Sequence, residues 1–220
     1  MKIMIFGASG MVGQGVLREC LLDSGIDQVL SVGRSASGST HEKLSDVLLA
    51  DITRLDGIAD ALRGYDACLF CLGVSSAGMS EKRYTELTYD LTLSIARTLV
   101  ALNPAMRFVY ITGAGTDSSE KGRSMWARVK GRTENALLAL PFKSAHMLRP
   151  AIIQPLHGIH SKTALYRLAY VLLTPFMTLF KRFFPGYFTT SEQMGRAMIS
   201  LARHGSPKRI LETIDINAIQ

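Results

Sequence analysis

Short apolar runs recur along this chain, separated by longer stretches in which apolar residues return every three or four positions. KIMIFG (2–7), QVLSVG (28–33), DVLLAD (46–51), YDACLFCLG (65–73), MRFVYITG (106–113) and FKSAHMLRP (142–150) predict six strands. A seventh is expected over 209–214. Helices are predicted at about 13–23, 55–63, 81–102 and 191–203, and over SMWARVKGRTENALLAL (124–140). In that last stretch Trp126, Val129, Leu137 and Leu140 keep helical spacing. Continuous apolar strands alternating with amphipathic helices predict a mainly parallel sheet covered on both faces. With right-handed crossovers this is an α/β, doubly wound, Rossmann-like fold. After Pro150 the pattern loosens. The chain therefore reads as one domain, with a core over 1–150 and substrate-covering elements over 151–220.

Composition narrows the class. At 220 residues, with 47% hydrophobic and 20% charged residues, the chain can bury one substantial core. Three cysteines, Cys20, Cys68 and Cys71, form an odd set without metal-ligand spacing, so free thiols in a reducing compartment are expected. The N-terminal apolar run is too short for a signal peptide, and a cytoplasmic location is the expectation. Charge is unevenly placed, with a balance of −4 over residues 1–120 and +11 over 121–220. No recognisable nucleic-acid motif accompanies the basic half, which favours a charged small ligand or a solvated surface.

One segment, KTALYRLAYVLLTPFMTLFKRFF (162–184), is apolar nearly all round and basic at both ends. Its longest uncharged run is thirteen residues and contains Pro175, short of the roughly 20 needed to span a bilayer. A lid or a partner contact such as a homodimer face is preferred to a peripheral membrane helix, which stays open as the rival.

Directly after the first strand comes G-A-S-G-M-V-G, in which Gly7, Ser9, Gly10, Met11, Val12 and Gly13 are expected to hold a pyrophosphate. Glycines permit a tight strand-to-helix turn and close backbone approach, and the helix N-terminus supplies free N–H groups. An NAD-preferring site would place an acid about 20 residues on. None stands between Asp27 and Glu42, and Arg34 instead offers a guanidinium suited to a 2′-phosphate. NADP(H) is the expected cofactor. Asp51 and Ile52 are expected beside the adenine, and Cys71, Leu72 and Gly73 beside a ribose. Each lies at the C-terminal edge of an expected strand, where open α/β sheets bind ligands. No histidine pair has metal spacing, and no metal is expected.

These residues resemble the short-chain dehydrogenase/reductase superfamily, in particular its atypical, NmrA-like and epimerase-like branches. The resemblance rests on GASGMVG, GRS after the second strand, Asp51-Ile52, CLG, YITGAG, WARVKGRTENAL and LRPAIIQPLHG, and covers about 1–150. It implies a Tyr-x-x-x-Lys pair and a Ser after the fifth strand, the Tyr for proton transfer and the Lys for the nicotinamide ribose. Lys130 matches, but Trp126 stands in the Tyr position and only Thr112 offers a hydroxyl near the Ser position. An indole N–H cannot act as an acid–base group near neutral pH. His157 and His160 follow the LRP strand end near the expected substrate side and are candidate replacement acid–base groups, with solvated loop histidines the preferred reading; Ser75-Ser76 is within reach of the nicotinamide side, and Arg149 would meet substrate or make a structural ion pair. The expectation is an NADP(H)-dependent oxidoreductase with a non-standard proton donor, Lys130 and Thr112 being the catalytic candidates. The rival is a catalytically silent NADP(H)-sensing protein. The sequence does not identify a substrate.

Overall fold

A computed structural model describes residues 1–159 and 185–219. The segment 162–184 and His160 lie outside these residues. Strands β1 (Lys2–Phe6), β2 (Gln28–Gly33), β3 (Leu44–Leu48), β4 (Ala67–Phe70), β5 (Arg107–Ile111), β6 (Ser144–Arg149) and β9 (Ile210–Glu212) form one sheet. Its order is β3-β2-β1-β4-β5-β6-β9, and every pairing is parallel. Strands β7 (Ile152–Gln154) and β8 (Phe188–Thr190) make a separate parallel pair. The doubly wound α/β expectation therefore holds.

Alternation along the strands builds two cores. Met4, Phe6, Cys68, Phe70, Phe108, Tyr110 and Met147 face α3 (Leu91–Leu102) and α4 (Met125–Leu138), where Ile95, Leu99 and Leu137 meet them. Phe6 stacks on Phe70 at 5.5 Å and Phe108 on Phe142 at 4.9 Å between ring centroids. Ile3, Ile5, Leu69, Val109 and Leu148 face α1 (Met11–Leu22) and α5 (Ser191–His204), against Val16, Leu17, Met194, Met198 and Leu201. Each such buried side chain contributes roughly 1.5–3 kcal/mol. A sheet apolar on both faces is what the continuous runs encode.

Two expectations need correction in detail. The third strand is Leu44–Leu48 rather than 46–51, because pairing with β2 sets Val29 against Leu44 and Gly33 against Leu48. As an edge strand it is half exposed, so its apolar pattern is weak and the run Leu48-Leu49-Ala50 misplaces its end. The segment 55–63 forms a 3-10 helix at Asp56–Leu62. The long helix over 81–102 is continuous, running as α2 (Glu81–Thr85), a π-helical segment Glu86–Asp90 and α3. A final helix α6 (Thr213–Ala218) carries a capping box between Glu212 and Asp215.

Helices in such a sheet end at its N-terminal edge, where their last carbonyls lack intrahelical partners. Basic side chains meet them there. Arg107 donates to the Ala202 carbonyl of α5 at 3.1 Å, and Arg209 to the Leu138 carbonyl of α4 at 2.9 Å. Lys43 reaches the Asp23 carbonyl just past α1 at 2.9 Å.

Candidate cofactor-binding site

The C-terminal ends of β1, β2, β4 and β5 converge on the expected ligand edge. Gly7 leaves β1 with φ +85°, a conformation that favours glycine. A Cβ there would lie 2.7 Å from the Leu72 amide nitrogen, so the turn presses directly on the chain leaving β4. At Gly13 a Cβ would lie 2.1 Å from the Gly7 carbonyl oxygen. Only hydrogen fits between the first turn of α1 and the loop that precedes it.

Gly10 is the N-cap of α1 and supplies no side-chain cap, and the first turn holds no acid. The first intrahelical bond there runs from Gln14 N–H to the Gly10 carbonyl at 2.8 Å. The amides of Met11, Val12 and Gly13 thus stand at the positive end of the helix dipole ahead of that bond, which is an anion-binding arrangement. Ser9 and Ser35 hydroxyls approach to 3.3 Å and tie the glycine loop to the chain leaving β2. Arg34, next to Ser35, is exposed and makes no ion pair among the described residues. The uncapped helix, the glycine cradle and the free guanidinium fit a dinucleotide carrying phosphates.

The other expected positions divide. Cys71 continues the β1–β4 pairing through its amide, which donates to the Phe6 carbonyl at 2.8 Å, and Leu72 and Gly73 follow at the same edge. Burial pushes the Cys71 thiol up, which keeps it unreactive. Cys20 and Cys68 are also free, and unlike the half-buried Cys71 they are fully buried. Asp51 closes a local turn, accepting from the Thr53 amide at 3.0 Å and hydroxyl at 2.6 Å, which hold its carboxyl below the usual range. Ile52 is buried in the core.

At the end of β5, α4 brings Trp126, Lys130 and Glu134 onto one face by their spacing of four. The Trp126 ring lies against the turn at Gly115, near where a Cβ would sit (3.6 Å). Lys130 Nζ faces the Ile111 and Thr112 carbonyls at 3.5 Å each and lies 5.4 Å from the Tyr110 ring centroid. Burial pushes its pKa down to about 8, against the opposing pull of the Glu134 charge. The Thr112 hydroxyl donates to Glu134 at 2.6 Å and lies 3.1 Å from the Leu148 carbonyl oxygen. Arg149 pairs with Glu134, which has no exposure at all. Its guanidinium is thus structural, the second of its two expected roles.

His157, with φ +57°, contacts Glu192 at 2.7 Å, and His146 is buried in β6. Among the described residues no group of three or more His, Cys, Asp or Glu could hold a metal ion. No helix among them is long and apolar enough to cross a membrane. Two features were missed in the sequence. Glu134 shares its spacing of four with Trp126 and Lys130, and that spacing could have revealed it. Gly131 could not be foreseen: a Cβ there would lie 1.8 Å from the Asp117 carbonyl oxygen, so the β5–α4 loop seats on the helix beside Lys130.

Comparison with known proteins agrees with this geometry. A family model for NAD(P)H-binding proteins matches residues 7–143. The chain is 26% identical over 153 residues to the mitochondrial protein FMP52 of Chaetomium globosum, covering 68% of this chain and 65% of that one. It is 26% identical over 154 residues to protein HTATIP2 of Rattus norvegicus, covering 69% and 62%. In both cases the match spans less than two thirds of the relative. The fold is that of the YIR035C short-chain dehydrogenase/reductase of Saccharomyces cerevisiae, at a TM-score of 0.69 and 16% identity over 100% of this chain and 99% of that one. The cytoplasmic expectation is corrected here, since several FMP52 relatives are named as mitochondrial. It had rested on a missing signal pattern, which does not specify a compartment. With its uncapped glycine turn and a family match over most of its length, the chain belongs to the NAD(P)H-binding family and has the short-chain dehydrogenase/reductase fold.

Proposed function

We propose that this protein is an NADP(H)-dependent oxidoreductase in which Lys130, rather than a tyrosine, holds the transferable proton. The observation that carries the cofactor choice is Arg34. It follows β2 beside the glycine loop, without an ion-pair partner among the described residues, and no acid stands between Asp27 and Glu42 to hold a ribose 2′-hydroxyl. The amides of Met11, Val12 and Gly13 would hold the pyrophosphate, and Leu72 and Gly73 would border a ribose. A reduced nicotinamide bound there supplies hydride.

The protein's own part is to place and hold a proton. Trp126 has no ionisable proton near neutral pH, and the Thr112 hydroxyl hydrogen is engaged by Glu134. Lys130 Nζ carries a proton that burial makes easier to release, with a pKa of about 8. A general acid works best when its pKa lies near the operating pH. The substrate would be a small carbonyl compound approaching Nζ past the Trp126 ring.

Trp126 also favours a second reading, in which the protein binds NADP(H) and reports its occupancy without turnover. Restoring the hydroxyl separates the two. The Trp126→Tyr variant is predicted to reduce quinones or small ketones with NADPH about 10²–10⁴-fold faster than the parent. A parent and variant that both bind NADPH and are both inert would contradict the oxidoreductase reading.

A further inference from the structure

Glu134 is the only acid with no exposure among the described residues. Its partners come from two other elements. The Thr112 hydroxyl at the end of β5 donates to it at 2.6 Å. Arg149 of β6 donates from Nε to both carboxylate oxygens, at 3.1 and 3.2 Å, and pairs with it again through Nη2. Arg149 is fixed in turn by Glu212 at 3.4 Å and by the Ser118 hydroxyl.

Stability is a weak reason for such a group. Replacing a buried ion pair by apolar side chains of similar volume is often neutral or stabilising. Its position offers a better one. Glu134 stands one helical turn beyond Lys130 on the same face of α4. Lys130 itself has no carboxylate within ion-pair distance among the described residues. Thr112 joins the two, since its hydroxyl is held by Glu134 while its carbonyl receives Lys130 Nζ at 3.5 Å.

We propose that Glu134 is a positioning residue for Lys130: locked by Arg149, it fixes the Thr112 carbonyl that aims the ammonium and supplies the charge that keeps it protonated. This rests on the reading of Lys130 as the cation beside the cofactor. Among the described residues the ionisable groups around Lys130 are few. Tyr110 faces it from β5, and the buried Tyr84 of α2 lies beyond that ring; burial raises both phenols, so they stay neutral. Arg128 on α4 is occupied by Glu81, Arg132 by the Tyr89 ring at 4.2 Å, and Arg149 by Glu134. Glu134 is therefore the negative charge that opposes the desolvation of Lys130.

The test follows the lysine directly. In protein labelled with ¹³C-lysine, the Lys130 side-chain resonance is identified by its loss in Lys130→Met and titrated from pH 6 to 11. Its midpoint is predicted near pH 8 in the parent and at least one unit lower in Glu134→Gln. That change corresponds to a tenfold or greater loss of proton affinity. Glu134→Gln strands the Arg149 charge and could fail to fold, so Glu134→Gln/Arg149→Met, which removes the pair together, is measured beside it with the same expectation. A midpoint that stays in place in the folded variant overturns the proposal. NADPH affinity is followed across the same pH range. It is predicted to weaken as Lys130 loses its proton, at a lower pH in the variants. If the parent binds no NADPH at any pH, the cofactor reading falls, and with it the role of Glu134, whatever the lysine midpoint does.

Discussion

A lysine can be held beside a strand end at some expense to the fold, and Lys130 illustrates the balance. Its folded pKa of about 8 lies below the usual value near 10.4. Below pH 8 both folded and unfolded chains carry the proton, and the full desolvation penalty opposes folding. Between about pH 8 and 10.4 the unfolded chain binds more protons than the folded one, so stability rises with pH there. Lys130→Met should therefore stabilise the protein at pH 7, by on the order of 1 kcal/mol or about 2–4 °C in melting temperature. That advantage should shrink toward pH 10, as read by denaturant unfolding of both proteins at each pH. A variant that is less stable at pH 7 would show that the ammonium adds net stability. That Trp126 and Lys130 share one helix face was legible in the sequence, because a spacing of four on a helix is local information. The sequence did not show that the Thr112 hydroxyl is committed to Glu134, because that bond joins residues 22 positions apart.

Elements were legible in proportion to their burial. The strands β1, β4, β5 and β6 are apolar runs in the sheet interior, and each lies inside its expected range. The edge strand β3 was displaced because its register comes from β2 and its own side chains are half exposed. That displacement also moved Asp51 from a strand end into a turn that it caps itself. The turn between β1 and α1 is the most constrained local feature. Gly13→Ala would drive a methyl group into the Gly7 carbonyl oxygen at 2.1 Å. Backbone displacement of this kind costs typically 1–3 kcal/mol. The variant should unfold at lower denaturant and lose NADPH binding, since the same shift spoils the amides of Met11 and Val12. Unchanged stability and binding would mean that the helix start relaxes freely and does not form the phosphate cradle.

At the scale of the whole molecule, the parallel sheet separates two kinds of helix end. Helix N-termini and glycine turns meet at the C-terminal edge, where the site assembles, while helix C-termini collect at the other edge. The basic surplus of residues 121–220 is partly explained by that second edge, where Arg209 donates to the Leu138 carbonyl of α4. The four acids of that half are all engaged, Glu134 and Glu212 with Arg149, Glu192 with Arg196 and Asp215 with Lys208. The charge asymmetry was legible in the sequence, but its use required the topology. Arg34 stands apart from this arrangement at the C-terminal edge, and the proposed preference for NADP(H) rests on it. The most direct measurement is a calorimetric titration of NADPH and NADH into the cofactor-stripped protein and its Arg34→Glu variant at fixed salt. The account predicts that the parent binds NADPH at least tenfold more tightly than NADH, and that the variant loses this preference. Equal affinities in the parent, or binding of neither nucleotide, would contradict it.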